Sequence, residues 1–331
     1  MIGISLIGAG RIGKLHAKNL LANPKVRIVS VYDPNRDSAE AIATVAGCDS
    51  AQNFDEAIAA RDCQAVVICS PAATHVEFIL RAVEAEKFVF CEKPIDLELD
   101  RARACVEQLR DRAHRVMIGF HRRFDPAQAE LRQIVRSGGI GEVEQMTIIC
   151  RDPAPPPPEY ICDSGGIFRD MMIHDFDQAR AITGINFVSI FAQGAALFDE
   201  AAARQGDQDT ATAHLIGPRG ETCTIFNSRR CTYGFEQRIE VFGSRGTVAM
   251  ENPRALFISL FTAQGEQLPP LLPFFPERYE LAYREELSHF VSAMESNSCF
   301  EVTVHDGLLS LIMANAAHQS ATKHELVSLN L

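Results

Sequence analysis

"GISLIGAGRIGKLHAKNLLANP", residues 3–24, decides how the chain is to be read. The run Gly3–Gly8 is short and apolar and ends in glycine, as a buried strand does when it breaks into a tight turn. From Arg11 onward, Ile12, Leu15, Leu20 and Leu21 fall at helical spacing, and Pro24 closes the segment. Between the predicted strand and helix lie Gly8, Gly10 and Gly13 in GxGxxG spacing. Those glycines alone are a weak signal. At a strand-to-helix turn opening a βαβ unit they mark a dinucleotide-binding turn, Gly8-Ala9-Gly10-Arg11-Ile12-Gly13. Gly8 permits the tight turn, Gly10 lets the backbone approach a pyrophosphate, and Gly13 allows helix to pack closely on strand. The helix start offers unpaired N–H groups and a partial positive charge to phosphates. A merely structural glycine turn is the plain alternative.

The surroundings extend the pattern. "VRIVSVYD" (26–33), "AVVICS" (65–70), "FVFCEKP" (88–94) and "RVMIGF" (115–120) are apolar runs of strand length. Helical segments near 74–85 and 97–112 fall between them. Such alternation builds a doubly wound parallel sheet of the Rossmann type, with helices on both faces. Asp33 ends the second strand, 20 residues after Gly13. A carboxylate there accepts hydrogen bonds from both ribose hydroxyls and repels a 2′-phosphate, which favours NAD over NADP. Arg36 either pairs with such a phosphate or is a solvated helix-start residue.

After "GFHRRFDP" (119–126) the rhythm changes. Segments 142–152, 186–194, 209–217, 222–230, 237–250 and 255–262 read as strands, interrupted by one helical segment at 168–183. Partial alternation predicts a largely antiparallel, open sheet with one covered face. Helices near 280–296 and 304–320 finish the chain, and "PAPPPP" (153–158) must be an extended loop. The expected fold is therefore α/β, with a Rossmann domain over 1–120 and an α+β domain over 121–331.

Composition narrows the class. The 331 residues are 47% hydrophobic and 23% charged, with a net charge of −11 and no Lys/Arg-rich run. That argues against a nucleic-acid or anionic-membrane partner held by charge. No apolar stretch of about 18 residues occurs to cross a bilayer. The N-terminus reads as a first strand, not a signal peptide. The ten cysteines are scattered, with no CxxC pair, and are expected to be reduced thiols in a cytoplasmic protein. No His/Cys/Asp/Glu cluster has metal-ligand spacing, so no metal is expected.

Two features carry chemistry. "CEKP" places Lys93 at the carboxyl end of a predicted parallel strand, where open α/β sheets bind ligands. A lysine there is also common without any role. "FRDMMIHDFD" (168–177) sets Asp170 and His174 four apart, on one helical face. A core histidine satisfied by a local acid is the bland reading. With a dinucleotide site and a strand-end lysine, the pair supplies what alcohol oxidation needs. His174 is a general base by intrinsic pKa, Asp170 orients it, and Lys93 stabilises the developing alkoxide.

"GAGRIG", "EKP", "GFHRRFDP" and "GGIFRDMMIHDFD" together resemble the Gfo/Idh/MocA oxidoreductase family over nearly the whole chain. "RDPAPPPPEYI" and "YGFEQRIEVFGSRG" narrow the resemblance to its inositol dehydrogenase branch. The resemblance implies Lys93, Asp170 and His174 as catalytic residues. It implies NAD contacts from Ser70, Pro71, His75, Glu92 and His121, and substrate contacts from Arg122, Asp152 and Tyr233. It also implies a homotetramer joined through the second-domain sheets, oxidising myo-inositol to a keto-inositol. Another inositol epimer, an aldose or an amino sugar is the nearest alternative. A silent NAD-binding sensor or regulator is the alternative of another class.

Overall fold

The computed structural model describes Met1–Leu331. Six strands form the first sheet: β1 (Ile2–Ile7), β2 (Val26–Tyr32), β3 (Asp49–Ser50), β4 (Cys63–Ile68), β5 (Phe88–Glu92) and β6 (Val116–Gly119). They lie in the order β3-β2-β1-β4-β5-β6, every neighbouring pair parallel. The order reverses direction between β1 and β4, the switch point at which doubly wound sheets open a crevice for ligands. Ile4, Leu6, Ile7, Val66, Val67 and Ile68 are fully buried there, as strands covered on both faces require.

The chain divides into two units: Met1–His121 with Ala282–Leu311, and Arg122–Leu281 with Ile312–Leu331. Reading from sequence placed everything after residue 120 in the second domain; the structure puts 282–311 with the first. Phe290 stacks on Phe300 (5.3 Å between ring centroids) and meets Phe90 of β5 edge-on at 5.9 Å. The amide of Ile118 in β6 donates to the Val302 carbonyl at 3.2 Å. Helical periodicity reveals an apolar face but not which sheet that face covers.

The second unit is built on a seven-stranded sheet. Its strands are β7 (Val143–Arg151), β8 (Ser189–Ala195), β9 (Thr210–Ile216), β10 (Thr222–Ser228), β11 (Glu236–Gly243), β12 (Gly246–Met250) and the terminal Val327–Ser328. The order is β12-β11-β7-β10-β9-β8 followed by the terminal strand, and only β7 and β10 pair in parallel. Four expectations change, the first being the single helical interruption among the strands, since Pro158–Ser164 and Glu200–Arg204 are helices as well. The strand expected over 237–250 is a hairpin, because Ser244 and Arg245 turn the chain and Gly246 closes it. The strand expected over 255–262 shrinks to Leu260–Thr262, paired with Gly265–Gln267. The helix expected over 168–183 is two, Gly166–Asp170 and Ile173–Thr183, separated by Met171 and Met172. No helix is long and apolar enough to cross a membrane.

Candidate active site

The glycine turn is built by close approach. Gly8 has φ +94°, and a Cβ there would lie 2.7 Å from the backbone of Cys69 and Ser70 at the end of β4. At Gly13 a Cβ would sit 2.0 Å from the Gly8 carbonyl oxygen. At Gly10, by contrast, nothing lies within 4 Å, and as N-cap of the helix Arg11–Ala22 it brings no side-chain cap. The helix start is thus bare where a pyrophosphate would sit, which is the fit a dinucleotide requires.

Asp33 ties this turn to the end of β2. Its carboxylate accepts from the amides of Ala9 (2.6 Å) and Asn35 (2.7 Å), which fixes its orientation and leaves it further acceptor capacity. Arg36 lies on the surface, donating to Gln52 and 4.0 Å from Glu40. The β4 end is held by His75, whose Nδ1 lies 2.7 Å from the Pro94 carbonyl and Nε2 2.8 Å from the Ser70 carbonyl. Both ring nitrogens are engaged with backbone, so His75 clamps the loops that carry Ser70, Pro71 and Lys93 together. Burial pushes its pKa down, against the two carbonyls and the charges of Glu92 and Asp96. Ser70 shares a hydrogen bond with Thr74 (2.6 Å). His121 is buried and stacks on Tyr283 at 4.2 Å, while Glu92 bonds His16.

In the second unit, Asp170 ends one helix and His174 is the second residue of the next. Tyr160 donates to Asp170 Oδ1 at 2.9 Å, and the Arg229 guanidinium lies 3.5 Å from Oδ2. Together these donors hold the orientation of the carboxylate. The buried Arg229 also faces Asp207 at 3.8 Å, and Asp207 in turn accepts from the amide of Ile167 (2.9 Å), fixing the start of the helix that carries Asp170. Asp152, just past β7, has its pKa raised to about 7 by burial, with Asp170 raising it further and the arginines 229 and 122 opposing. The sequence singled out neither Arg229 nor Tyr160; an arginine directly after the alternating β10 was the available signal for the first.

The remaining carboxylates of "FRDMMIHDFD" have structural work. Asp175 accepts from Arg122 (2.7 Å) and from the Asn227 amide (2.8 Å); Asp177 accepts from Arg123 Nε (2.9 Å). Arg122 is therefore committed to a buried ion pair, with its guanidinium also 5.7 Å above the Tyr279 ring. Tyr233 is half exposed, donates to Glu236, and accepts from Arg151 (3.0 Å).

A glycine turn pinned to a strand-end carboxylate, at the switch point of a 3-2-1-4-5-6 sheet, defines the class of NAD-binding Rossmann oxidoreductases. The chain belongs to the Gfo/Idh/MocA family: residues 2–120 match "Oxidoreductase family, NAD-binding Rossmann fold" and residues 128–249 match "GFO/IDH/MocA C-terminal domain". It is 46% identical to an inositol 2-dehydrogenase of Rhizobium meliloti (strain 1021), over 99% of each chain. It is 33% identical to a scyllo-inositol 2-dehydrogenase (NAD(+)) of Bacillus subtilis (strain 168), over 96% of this chain and 93% of the other. The solved structure of a myo-inositol dehydrogenase from Corynebacterium glutamicum ATCC 13032 superposes with a TM-score of 0.95 at 43% identity, covering 100% of this chain and 99% of that one.

Proposed function

We propose that the protein is an NAD-dependent dehydrogenase that oxidises one ring hydroxyl of a cyclic polyol, myo-inositol, to the ketone. The observation that carries this reading is the oriented Asp170, held by Tyr160 and Arg229 at the end of the helix that precedes the one carrying His174, in a chain aligned end to end with an inositol 2-dehydrogenase. His174, as neutral imidazole, takes the hydroxyl proton while the carbon loses hydride. Asp170 stabilises the imidazolium that forms. Lys93 donates to the oxygen as negative charge develops on it. Bound NAD supplies the hydride acceptor. The alcohol thus loses one hydride and one proton, and the proton leaves His174 to solvent. Asp152 and Tyr233 are proposed to accept and donate to other ring hydroxyls, whereas the ion-paired Arg122 acts on the substrate only by shaping the wall.

A cytoplasmic homotetramer is part of the proposal. It is supported by ten free thiols and by Phe226 and Phe242, exposed on one face of the second sheet. Initial rates with myo-inositol, scyllo-inositol, glucose and sorbitol, each with NAD and NADP, test the function. An epimer that leaves one buried polar group unpaired should lose about 1–3 kcal/mol, roughly tenfold to a hundredfold in kcat/KM. An aldose exceeding myo-inositol tenfold would replace the inositol reading. Absence of turnover with every polyol would favour a sensor.

A further inference from the structure

Beneath the end of β5 lies a buried cluster that the reaction does not use directly. His16, from the helix Arg11–Ala22, Glu92, the last residue of β5, and Glu286, from the helix Glu280–Ser296, bring one ligating atom each within 4.8 Å of one another. His16 Nε2 and Glu92 Oε1 are 2.7 Å apart. Glu286 is fully buried, and neither of its carboxylate oxygens has a hydrogen-bond partner; His16 Nδ1 has none either. Phe90 and Tyr283 meet the His16 ring edge-on at 5.1 and 5.7 Å and keep the cluster dry. Gly119 of β6 pairs with Glu92, and a Cβ there would sit 3.2 Å from the Glu92 carboxyl carbon, so the strand leaves room for that side chain.

Two carboxylates this close in a dry pocket do not both ionise. Burial, then the charge of Glu92, pushes the Glu286 pKa well above the usual range. The titratable groups facing Glu286 are Glu92 from β5, the thiol of Cys69 just past β4, and His16 from the packed helix. Tyr283 lies on its own helix, with His121 stacked on it. Burial likewise raises Cys69, with Glu92, Cys91 and Glu286 adding to the effect, so both thiols stay neutral at physiological pH.

We propose that Glu286 is a positioning residue: its buried carboxyl, packed with His16 against the Glu92 carboxylate, fixes the backbone that carries Lys93. The proposal rests on the catalytic reading of Lys93 and deepens it. Glu92 is covalently adjacent to Lys93, and His75 holds the other side of that residue through the Pro94 carbonyl. The lysine is thus suspended between two buried anchors, one of them this cluster. A divalent cation could take the same three ligands, which makes metal content the competing outcome.

The test compares Glu286→Gln with Glu286→Leu in the full chain. Glutamine keeps a neutral donor of the same shape; leucine keeps the volume and loses the donor. Glu286→Leu should bind NAD as wild type does and keep its KM for the polyol. Its kcat should fall roughly tenfold to a hundredfold, because a small displacement of a reacting group costs that much. Glu286→Gln should restore kcat. A second readout does not need turnover. A buried acid with a raised pKa contributes stability that is present below about pH 4.3 and lost as pH rises toward its folded value, so the wild-type urea midpoint should fall with rising pH while that of Glu286→Gln falls less. Wild-type kcat in Glu286→Leu, or an identical pH dependence in Glu286→Gln, overturns the proposal. So does one equivalent of divalent metal per purified chain that is lost in Glu286→Gln. If the wild type turned over no polyol, the function would fail while the pH-dependent midpoints still decided the shared proton.

Discussion

Replacing Asp175 by alanine should destabilise the second unit severely. The Asp175 side chain is fully buried and that of Arg122 nearly so, at 0% and 7% exposure. Burial pushes the Asp175 pKa up, while Arg122 and the Asn227 amide pull it down. Deleting the carboxylate leaves the guanidinium with only the Cys150 sulfur at 3.4 Å and the Tyr279 face, and removes the acceptor of Asn227. Breaking a buried pair from one side costs about 3–5 kcal/mol, a large part of the 5–15 kcal/mol that holds a typical domain. Removing both charges, as in Arg122→Met with Asp175→Leu, should cost less, about 1–3 kcal/mol, mostly for the orphaned Asn227 amide. The chain has no tryptophan, so urea unfolding is followed by far-UV circular dichroism. A loss below about 1 kcal/mol in Asp175→Ala, or a double variant no more stable than the single, would refute the reasoning. The same double variant should keep its KM; a rise in KM while it remains folded would restore Arg122 as a substrate contact.

Lys93→Met should fold and bind NAD but lose roughly a hundredfold in kcat, the size expected for one preorganised donor; a near-normal rate would remove Lys93 from the chemistry. Asp33→Ala should narrow the preference for NAD over NADP, read as the ratio of kcat/KM for the two cofactors, and a wild type that prefers NADP would contradict the role of Asp33. Asp152 has a folded-state pKa raised from 3.8 to about 7, so its contribution to stability is present below the unfolded value and lost as pH rises through about 7. Asp152→Asn should therefore gain on wild type between pH 5 and pH 8, by about 1–4 kcal/mol once solvent screening at this half-buried site is allowed for. Equal gains at both pH values in urea titrations would show that Asp152 does not titrate there.

What the sequence revealed followed from local physics. The GxGxxG turn needs close backbone approach, and the steric demands at Gly8 and Gly13 are visible in the residue types themselves. The alternation of apolar runs and helices dictated the parallel sheet. The "FRDMMIHDFD" helix misled because Met171 and Met172 fit a continuous helical pattern yet lie where two helices meet. The hairpin Glu236–Met250 was hidden because Ser244-Arg245-Gly246 is a weak turn signal inside a long β-prone run. Long-range pairings were illegible: Asp175 and Asp177 find arginines 53 and 54 residues away, and Glu286 meets His16 across most of the chain. Metal-ligand spacing along a sequence likewise says nothing of His16, Glu92 and Glu286, which tertiary packing alone brings together.

The central claim is a transfer of hydride from a ring carbon of a cyclic polyol, with the proton taken by His174. The direct measurement uses myo-inositol deuterated at its axial carbinol carbon, with NAD, comparing wild type and His174→Ala. The account predicts deuterium in the reduced nicotinamide, a keto-inositol in equal amount, and loss of nearly all of both in the variant. Deuterium that stays on the sugar, or a His174→Ala rate equal to wild type, would contradict it.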